Sequence, residues 1–189
     1  MLSQKEKTGI GKLISLVLRH DPGVLGITLD KQGWAEVDEL LRALRQKKNI
    51  GIDRAMLENI AESSEKKRYA FSEDGAFIRA VHGHSLPVDL GYEEQIPSGF
   101  LFHGTAKKNL DAIRIQGLER RARQFVHLSE DEATAKLTGM RHGSPVILTI
   151  KTGEMHLAGH EFFHSSSNVW LTGEVPAAFI IFPTQETDS

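Results

Sequence analysis

Three segments with helical hydrophobic periodicity, followed by a hairpin signal, constrain the first 80 residues more than any other feature of this chain. The first segment has apolar residues at intervals of three and four, at Ile10, Leu13, Ile14, Val17 and Leu18. This spacing predicts an amphipathic helix. Pro22 predicts its end, because the residue before a proline avoids helical dihedral angles. Arg19 and His20 are therefore expected in the last turn, where cations also suit the helix dipole.

Two more helices and two strands are predicted between residues 37 and 79. One apolar stripe consists of Val37, Leu40, Leu41 and Leu44, and the other of Met56, Leu57, Ile60 and Ala61. Asp53 is placed to cap the third helix. Strands at residues 68–71 and 76–79 flank the turn residues 72–75, which is typical of a β-hairpin. Three helices followed by a hairpin is the layout of a winged helix, a fold that usually binds nucleic acid, although a fold alone does not establish function.

A change of composition predicts two lobes, at residues 1–88 and 99–189, joined by a linker at residues 89–98. Pro87, Gly91, Pro97 and Gly99 lie in or beside this linker, with few strong helix or strand formers between them. In the second lobe, strands are predicted at residues 100–102, 125–128, 146–150, 169–171 and 178–182.

Two helices are predicted between these strands. Thr105 is expected to cap the first, which has Gly117 near its end. A capping box of Ser129 and Glu132 is expected to begin the second. The whole chain is therefore assigned to the α+β class, with short mixed strands in the second lobe.

Composition excludes several classes of chemistry. The chain has no cysteine, which excludes disulfides, thiolate zinc sites and a cysteine nucleophile, and favours a reducing compartment such as the cytoplasm. No apolar run has the length of a membrane span, and the first residues lack the apolar core of a signal peptide. The net charge of −2 does not indicate a nucleic-acid binder, but basic residues cluster locally. These are Lys66, Lys67 and Arg68, and Arg120, Arg121 and Arg123; the ordinary explanation of such runs is solvated surface.

Polar residues at predicted strand ends and helix ends are the better functional candidates, because packing does not require them there. They occur in four groups: Arg19-His20, residues 78–85, His103-Gly104-Thr105 and residues 123–129. Each group alone is a weak signal. Together they place many anion-binding side chains in one small chain.

These groups fall within a series of segments that resembles the RNA 2′-phosphotransferase family over nearly the whole length. The matching segments are residues 12–20, 33–34, 67–69, 78–80, 83–85, 103–105, 126–129, 143–146 and 168–172. The resemblance implies a winged-helix lobe that binds RNA, joined to an NAD-binding lobe like that of ADP-ribosyltransferases. It also implies a cytoplasmic monomer.

The resemblance implies an enzyme that uses NAD⁺ as a co-substrate and needs no metal. Its partner would be an RNA with an internal 2′-phosphate, such as a tRNA splice junction. The phosphate would attack the ribose carbon that bears nicotinamide, giving RNA-2′-phospho-ADP-ribose. The ribose 2″-hydroxyl would then attack the phosphate, releasing 2′-hydroxyl RNA and ADP-ribose 1″,2″-cyclic phosphate.

The resemblance also assigns catalytic residues. Arg19, His20, Arg68 and Arg123 match the family's Arg-His-Arg-Arg set. The arginine side chain binds two phosphate oxygens at once and stays charged. A protonated His20 would donate to the phosphate or assist departure of the RNA 2′-oxygen.

Further residues are matched to the cofactor and the substrate. The cofactor would contact His103, Gly104, Thr105, His127, Ser129 and Arg141, with a surface position as the alternative for Arg141. The substrate phosphate would contact Arg79, His82, His84 and Ser85. His82 departs from the family's usual glutamine. Val169 stands where many protein-modifying ADP-ribosyltransferases have glutamate, which implies that the incoming phosphate needs no activating base.

Three alternatives remain at this stage. His156, His160 and His164 recur at every fourth residue, a spacing that would align metal ligands on a helix, although Gly159 and the residues 161–163 argue against one. A non-catalytic RNA-binding module is the second alternative. A transferase that attaches ADP-ribose to other acceptors, including nucleic-acid ends, is the third.

Overall fold

The chain divides into two units between Gly91 and Tyr92, within residues 89–98. The computed structural model describes residues 2–63 and 67–183. Residues just after the division pack on the second unit. The Gln95 amide donates to the Phe162 carbonyl at 2.8 Å, and the Tyr92 ring lies edge-on to Phe125 with centroids 6.2 Å apart. Small antiparallel sheets and helices make up both units, which confirms the α+β class.

The first unit, as far as its residues are described, combines three α-helices with one small sheet. Its elements are α1 (Gln4–Arg19), β1 (Ala35–Glu36), α2 (Val37–Lys48), α3 (Arg54–Glu62), β2 (Tyr69–Phe71) and β3 (Phe77–Ala80). The sheet order is β1-β3-β2, and both pairings are antiparallel. The three predicted helices and the hairpin are confirmed. The two-residue strand β1 is too short to have produced a periodic signal.

Helix α1 follows from local capping and one buried stripe. Ser3 and Glu6 form a capping box at its start. Ile14, Val17 and Leu18 are fully buried in the core of this unit. The helix ends at Arg19, and the His20 amide caps it by donating to the Leu16 carbonyl at 2.9 Å. Arg19 and His20 therefore lie at the helix end, as the sequence predicts.

Asp53 caps α3 as predicted, because its carboxylate accepts from the Met56 amide at 2.8 Å.

Two hydrogen bonds of Tyr69 join the hairpin to α1. The Tyr69 hydroxyl donates to the Gly11 carbonyl at 2.7 Å, so Ser15 must donate to Tyr69 in the hydrogen bond of 2.5 Å between their hydroxyls. Strand β2 is thereby fixed against α1.

The described part of the second unit contains two further three-stranded sheets and three α-helices. Its elements are β4 (Leu101–Ala106), α4 (Leu110–Gln116), β5 (Val126–Leu128), α5 (Glu132–Gly139), β6 (Pro145–Ile150), α6 (Thr152–Leu157), β7 (Phe162–His164), β8 (Trp170–Thr172) and β9 (Ile180–Ile181). The sheet orders are β4-β6-β9 and β5-β8-β7. Leu101, Leu148, Ile150 and Phe162 are fully buried in its core.

Every strand pairing in the described part of the chain is antiparallel, so the expectation of mixed strands is wrong. The strand predicted at 178–182 is largely wrong as well. Residues Ala177–Phe179 form a 3₁₀ turn, and only Ile180–Ile181 pair with β6. Strand β7 and helix α6 were not anticipated.

The prediction that Thr105 caps a helix is wrong. Thr105 is buried within β4 and pairs with Val146, because β4 and β6 pair over six residues. Helix α4 begins only at Leu110, after a 3₁₀ turn at Lys107–Asn109. The Thr105 hydroxyl instead accepts from the Asn109 side-chain amide at 3.2 Å.

The capping box at Ser129 and Glu132 is also wrong. Asp131 caps α5, because its carboxylate accepts from the Thr134 amide at 2.7 Å. The backbone of Ser129 is used elsewhere: its N–H and C=O both bond to Phe102, at 2.8 and 2.9 Å. This long-range pairing joins the end of β5 to β4.

None of the described helices is both long enough and apolar enough to span a lipid bilayer.

Gly104 allows an unusually close approach between β4 and α5. A Cβ atom at this position would overlap the Ala135 carbonyl oxygen and lie 2.9 Å from the Gly139 amide nitrogen. Both obstacles are backbone atoms, which cannot rotate away. Glycine at 104 is therefore required by packing, whatever its role toward a ligand.

We expect Gly104→Ala to destabilise the protein by about 3 kcal/mol, the upper range for overpacking a buried site. Urea unfolding measures the change. Gly9→Ala is the control, because Gly9 is exposed on α1 and no atom lies within 4 Å of an added Cβ. That variant should gain about 0.5–1 kcal/mol from helix propensity. Equal stability of Gly104→Ala and the parent protein would refute the packing argument.

Candidate functional site

One residue of the turn after β3 forms hydrogen bonds with the end of α1. The Ser85 amide donates to the Arg19 carbonyl at 3.0 Å, and the Ser85 hydroxyl lies 3.0 Å from His20 Nδ1. Ser85 therefore contacts two consecutive predicted catalytic residues. His20 is exposed, whereas Arg19 is half-buried.

Gly83 and His84 pack the same turn against Arg19 and the interior. Gly83 has a φ of +85°, which favours glycine, and its open side faces the Arg19 guanidinium. The His84 side chain is 1% exposed, with Gly33 and Val88 beside it. An external phosphate therefore has no open surface of His84 to contact in this conformation. His82 is half-buried at the start of the turn.

Two further arginines belong to this region. The Arg79 guanidinium lies over the Trp34 ring, 4.4 Å from its centroid, and Arg79 Nη1 lies 3.5 Å from the Gln32 carbonyl oxygen. Trp34 was not singled out as functional, although the Gly33-Trp34 match was the signal for it. The Arg68 carbonyl accepts from the Val81 amide at 3.1 Å, which places Arg68 opposite the same turn.

The pKa of Tyr69 reflects these charges. Burial raises the pKa of the phenol, while the hydrogen bond from Ser15 and the positive charges of Arg19 and Arg68 oppose the increase. Both guanidinium groups thus act on one buried hydroxyl. We refer to Arg19, His20, Arg68, Arg79, His84 and Ser85 as the first-unit cluster.

The pKa of His84 is lowered from 6.5 to about 4, chiefly by burial and in addition by the charges of Arg19, His20 and Arg79. Neither ring nitrogen of His84 has a hydrogen-bond partner among the described residues. A buried imidazolium beside these cations would be costly, so His84 is neutral at physiological pH. The first-unit cluster therefore concentrates positive charge around one uncharged ring.

In the second unit, backbone carbonyls fix the tautomer of the neutral ring in two predicted cofactor ligands. His103 Nδ1 lies 3.0 Å from the His127 carbonyl oxygen, and His127 Nδ1 lies 3.0 Å from the Phe125 carbonyl oxygen. A carbonyl oxygen only accepts, so each Nδ1 must carry the hydrogen. In the neutral form, Nε2 of each ring is therefore a hydrogen-bond acceptor. The backbone hydrogen bonds between Phe102 and Ser129 place Ser129 next to β4, the strand that carries His103.

Arg123 and Arg141 act on each other electrostatically. Partial burial lowers the pKa of Arg123, and the nearby positive charge of Arg141 lowers it further. Arg123 nevertheless keeps part of its surface exposed to solvent, and Arg120, Arg121 and Arg141 are exposed as well. The predicted basic residue Lys66 lies outside the described residues. Val169 precedes β8, and its backbone amide donates to the Ser165 hydroxyl at 3.2 Å.

The three regularly spaced histidines do not share a helix. His156 lies on α6, which ends at Leu157, whereas His164 lies on β7. In the described ranges, no group of three histidine, aspartate or glutamate side chains is arranged to hold a metal ion. The His164 ring instead lies against the Trp170 ring, with centroids 4.7 Å apart, and its Nε2 is 3.6 Å from Glu130 Oε1. The sequence did not indicate this grouping.

We expect His84 to make the protein less stable in acid. The unfolded chain binds a proton near pH 6.5 and the folded chain only near pH 4, so stability is lost as the pH falls between these values. The loss is about 3 kcal/mol, at about 1.4 kcal/mol per pKa unit. Denaturant unfolding of the parent and of His84→Gln from pH 7 to pH 4 measures it. The variant should have the shallower pH dependence, and identical slopes would contradict the burial argument.

Comparison with known proteins identifies a family for this arrangement. The model of the RNA 2′-phosphotransferase, Tpt1 / KptA family matches residues 5–174. The chain is 46% identical to the RNA 2′-phosphotransferase of Escherichia coli strain K12 over 179 residues, covering 94% of this chain and 97% of the relative. It is also 46% identical, with the same coverage, to a protein of Shigella boydii serotype 18 named as a probable RNA 2′-phosphotransferase. The resemblance seen in the sequence is confirmed, and the chain belongs to the RNA 2′-phosphotransferase family.

Proposed function

We propose that this protein is an NAD⁺-dependent RNA 2′-phosphotransferase. An internal RNA 2′-phosphate is transferred to NAD⁺, and the products are RNA with a free 2′-hydroxyl, nicotinamide and ADP-ribose 1″,2″-cyclic phosphate. The two units would be a winged-helix RNA-binding lobe and an ADP-ribosyltransferase-like NAD-binding lobe. Family membership supports the phosphotransferase activity, and the first-unit cluster supports the handling of a phosphate.

The first-unit cluster is the observation that carries this proposal. It holds Arg19, Arg79 and His20 around a neutral imidazole, with Arg68 acting on the adjacent phenol. Crowded cations repel one another, and a bound dianion relieves that repulsion. Guanidinium groups also match phosphate geometry through paired N–H donors. This region is therefore suited to bind a phosphate more strongly than a neutral ligand.

Two steps divide the work among these residues. In the first, a 2′-phosphate oxygen bonds to the ribose C1″ as the bond from C1″ to nicotinamide breaks, giving RNA-2′-phospho-ADP-ribose. In the second, the ribose 2″-oxygen bonds to phosphorus as the bond from phosphorus to the RNA 2′-oxygen breaks. Protonated His20 supplies the proton that the departing RNA oxygen needs, and the 2″-hydroxyl releases its own proton to solvent water. Arg19, Arg68 and Arg123 stabilise the charge on the phosphoryl oxygens.

His103 and His127 in the second unit offer hydrogen-bond acceptors that a dinucleotide can use. Nε2 of neutral His103 and Nε2 of neutral His127 are acceptors because each Nδ1 donates to a carbonyl. Ribose hydroxyls are donors of the complementary kind. Arg141 supplies positive charge for a pyrophosphate, and Ser129 lies beside His127 at the strand end. These residues would hold NAD⁺, which supplies the electrophilic ribose carbon.

We expect nicotinamide release to require both RNA 2′-phosphate and NAD⁺. The experiment incubates the protein with an oligonucleotide bearing one internal 2′-phosphate, with and without NAD⁺, and separates the products. The matched substrate control carries a 2′-hydroxyl at the same position. Loss of the phosphate without NAD⁺ would refute the proposed reaction. Accumulation of ADP-ribosylated RNA alone would favour the transferase that stops after the first step.

We expect Arg68→Ala and Arg123→Ala to accumulate RNA joined to ADP-ribose. The second step depends most on charge stabilisation, because bonds to phosphorus form and break there. Loss of one preorganised donor costs about 3 kcal/mol, or roughly a hundredfold in rate. Single-turnover assays with labelled RNA measure both steps.

Arg42→Ala is the matched control, because Arg42 is an exposed arginine on α2 outside the first-unit cluster. It should leave both rates unchanged. Lysine at 68 or 123 should restore only part of the rate, since an ammonium group cannot make the planar paired contact. Full turnover by both alanine variants at the parent rate would refute these roles.

A further inference from the structure

We propose that Ser85 is a positioning residue that fixes the imidazole of His20 and acts on the reaction through it, without contacting the phosphate. Its catalytic consequence rests on the proposed function. The family resemblance implied that Ser85 contacts the substrate. The hydrogen bonds of Ser85 point instead to the end of α1.

Ser85 makes two contacts with consecutive residues of that helix end. Its amide donates to the Arg19 carbonyl and its hydroxyl meets His20 Nδ1, both at 3.0 Å. The amide contact fixes the distance between the turn and the helix, and the hydroxyl contact then fixes the ring. The contact with the Ser85 hydroxyl restricts the rotamers open to the exposed His20 side chain.

The turn that carries Ser85 is itself held firmly. His84 is buried beside Gly33 and Val88, so the residue before Ser85 is anchored in the interior. Gly83 packs its open side against Arg19 with a positive φ. Ser85 is thus an exposed residue on an anchored turn, which is the arrangement needed to orient a neighbouring side chain.

The chemistry of imidazole gives this contact a direction. In the protonated ring both nitrogens are donors, so the Ser85 hydroxyl must accept from Nδ1–H. That contact leaves Nε2–H as the donor for a phosphoryl or RNA oxygen. Removal of the Ser85 hydroxyl would leave the Nε2 proton on His20 but remove the contact that orients it. Misplacement of a reacting group by about 1 Å can cost a hundredfold in rate.

The test compares Ser85→Ala, Ser85→Thr, His20→Ala and the double variant Ser85→Ala with His20→Ala. Ser85→Ala should slow the second step about tenfold to a hundredfold, the range for losing a hydrogen bond to a charged group, and leave the first step unchanged. Ser85→Thr should recover most of the rate because it restores the hydroxyl. In the His20→Ala background, Ser85→Ala should have no further effect.

Ser63→Ala is the matched control. Ser63 is another exposed serine at the end of a helix in the same unit, and its hydroxyl donates to the Ile60 carbonyl at 3.2 Å. This variant should keep both rates. Thermal unfolding of every variant checks that the fold persists. An undiminished effect of Ser85→Ala in the His20→Ala background, or a raised KM for RNA with unchanged kcat, would overturn the proposal in favour of direct substrate contact.

A measurement without substrate separates this inference from the proposed function. Three-bond NMR couplings across χ1 of His20 should report one rotamer in the parent and in Ser85→Thr, and rotamer averaging in Ser85→Ala. If the couplings behave so but no phosphotransferase activity is found, Ser85 still positions His20 and the proposed function fails. If His20 is averaged in the parent protein as well, the positioning role is refuted.

Discussion

The crowding of positive groups at the end of α1 is the constraint on which the candidate site depends. Arg19, His20 and Arg79 all act on the His84 ring, which is buried and therefore uncharged at physiological pH. A charged ring at this position would add another positive charge in the protein interior, where water does not screen charges effectively. Because His84 is neutral, it adds no further positive charge beside Arg19 and Arg79. The proposed binding of a phosphate depends on this local positive charge.

The fold keeps these groups in place through contacts that do not involve the ligand. Tyr69 joins β2 to α1 by two hydrogen bonds, and the buried face of α1 fixes the direction of its last turn. Arg79 is held over the Trp34 ring, which supports its guanidinium without neutralising it. In the second unit, β4 and β5 play the same part, since a backbone carbonyl orients His103. Groups carried by packed strands and helices lose little entropy when a ligand binds.

Local signals were enough to predict the helices and hairpin of the first unit and the strands β4, β5, β6 and β8 of the second, but not where the helices of the second unit begin. Helix α1 was predictable because its stripe, its capping residues and Pro22 all lie within the same twenty residues. Thr105 and Ser129 both looked like helix caps, yet each is used by a strand contact with a residue distant in sequence, Val146 for Thr105 and Phe102 for Ser129. A Ser-x-x-Glu pattern cannot show that Asp131, two residues later, is the actual cap. Pairing between distant segments decides such cases, and local propensity does not record it.

The Gly83-His84-Ser85 motif shows why a family match does not by itself assign a residue's role. From sequence, its polar side chains look like phosphate ligands. In the structure each residue has a different physical position: Gly83 gives room to Arg19, His84 is enclosed, and Ser85 meets His20. Only burial and hydrogen-bond partners distinguish these positions, and neither can be read from a sequence. Burial keeps His84 uncharged near neutral pH, whereas His20 is exposed to solvent. In the proposed reaction His20 would act as the proton donor, while His84 is a buried, uncharged neighbour.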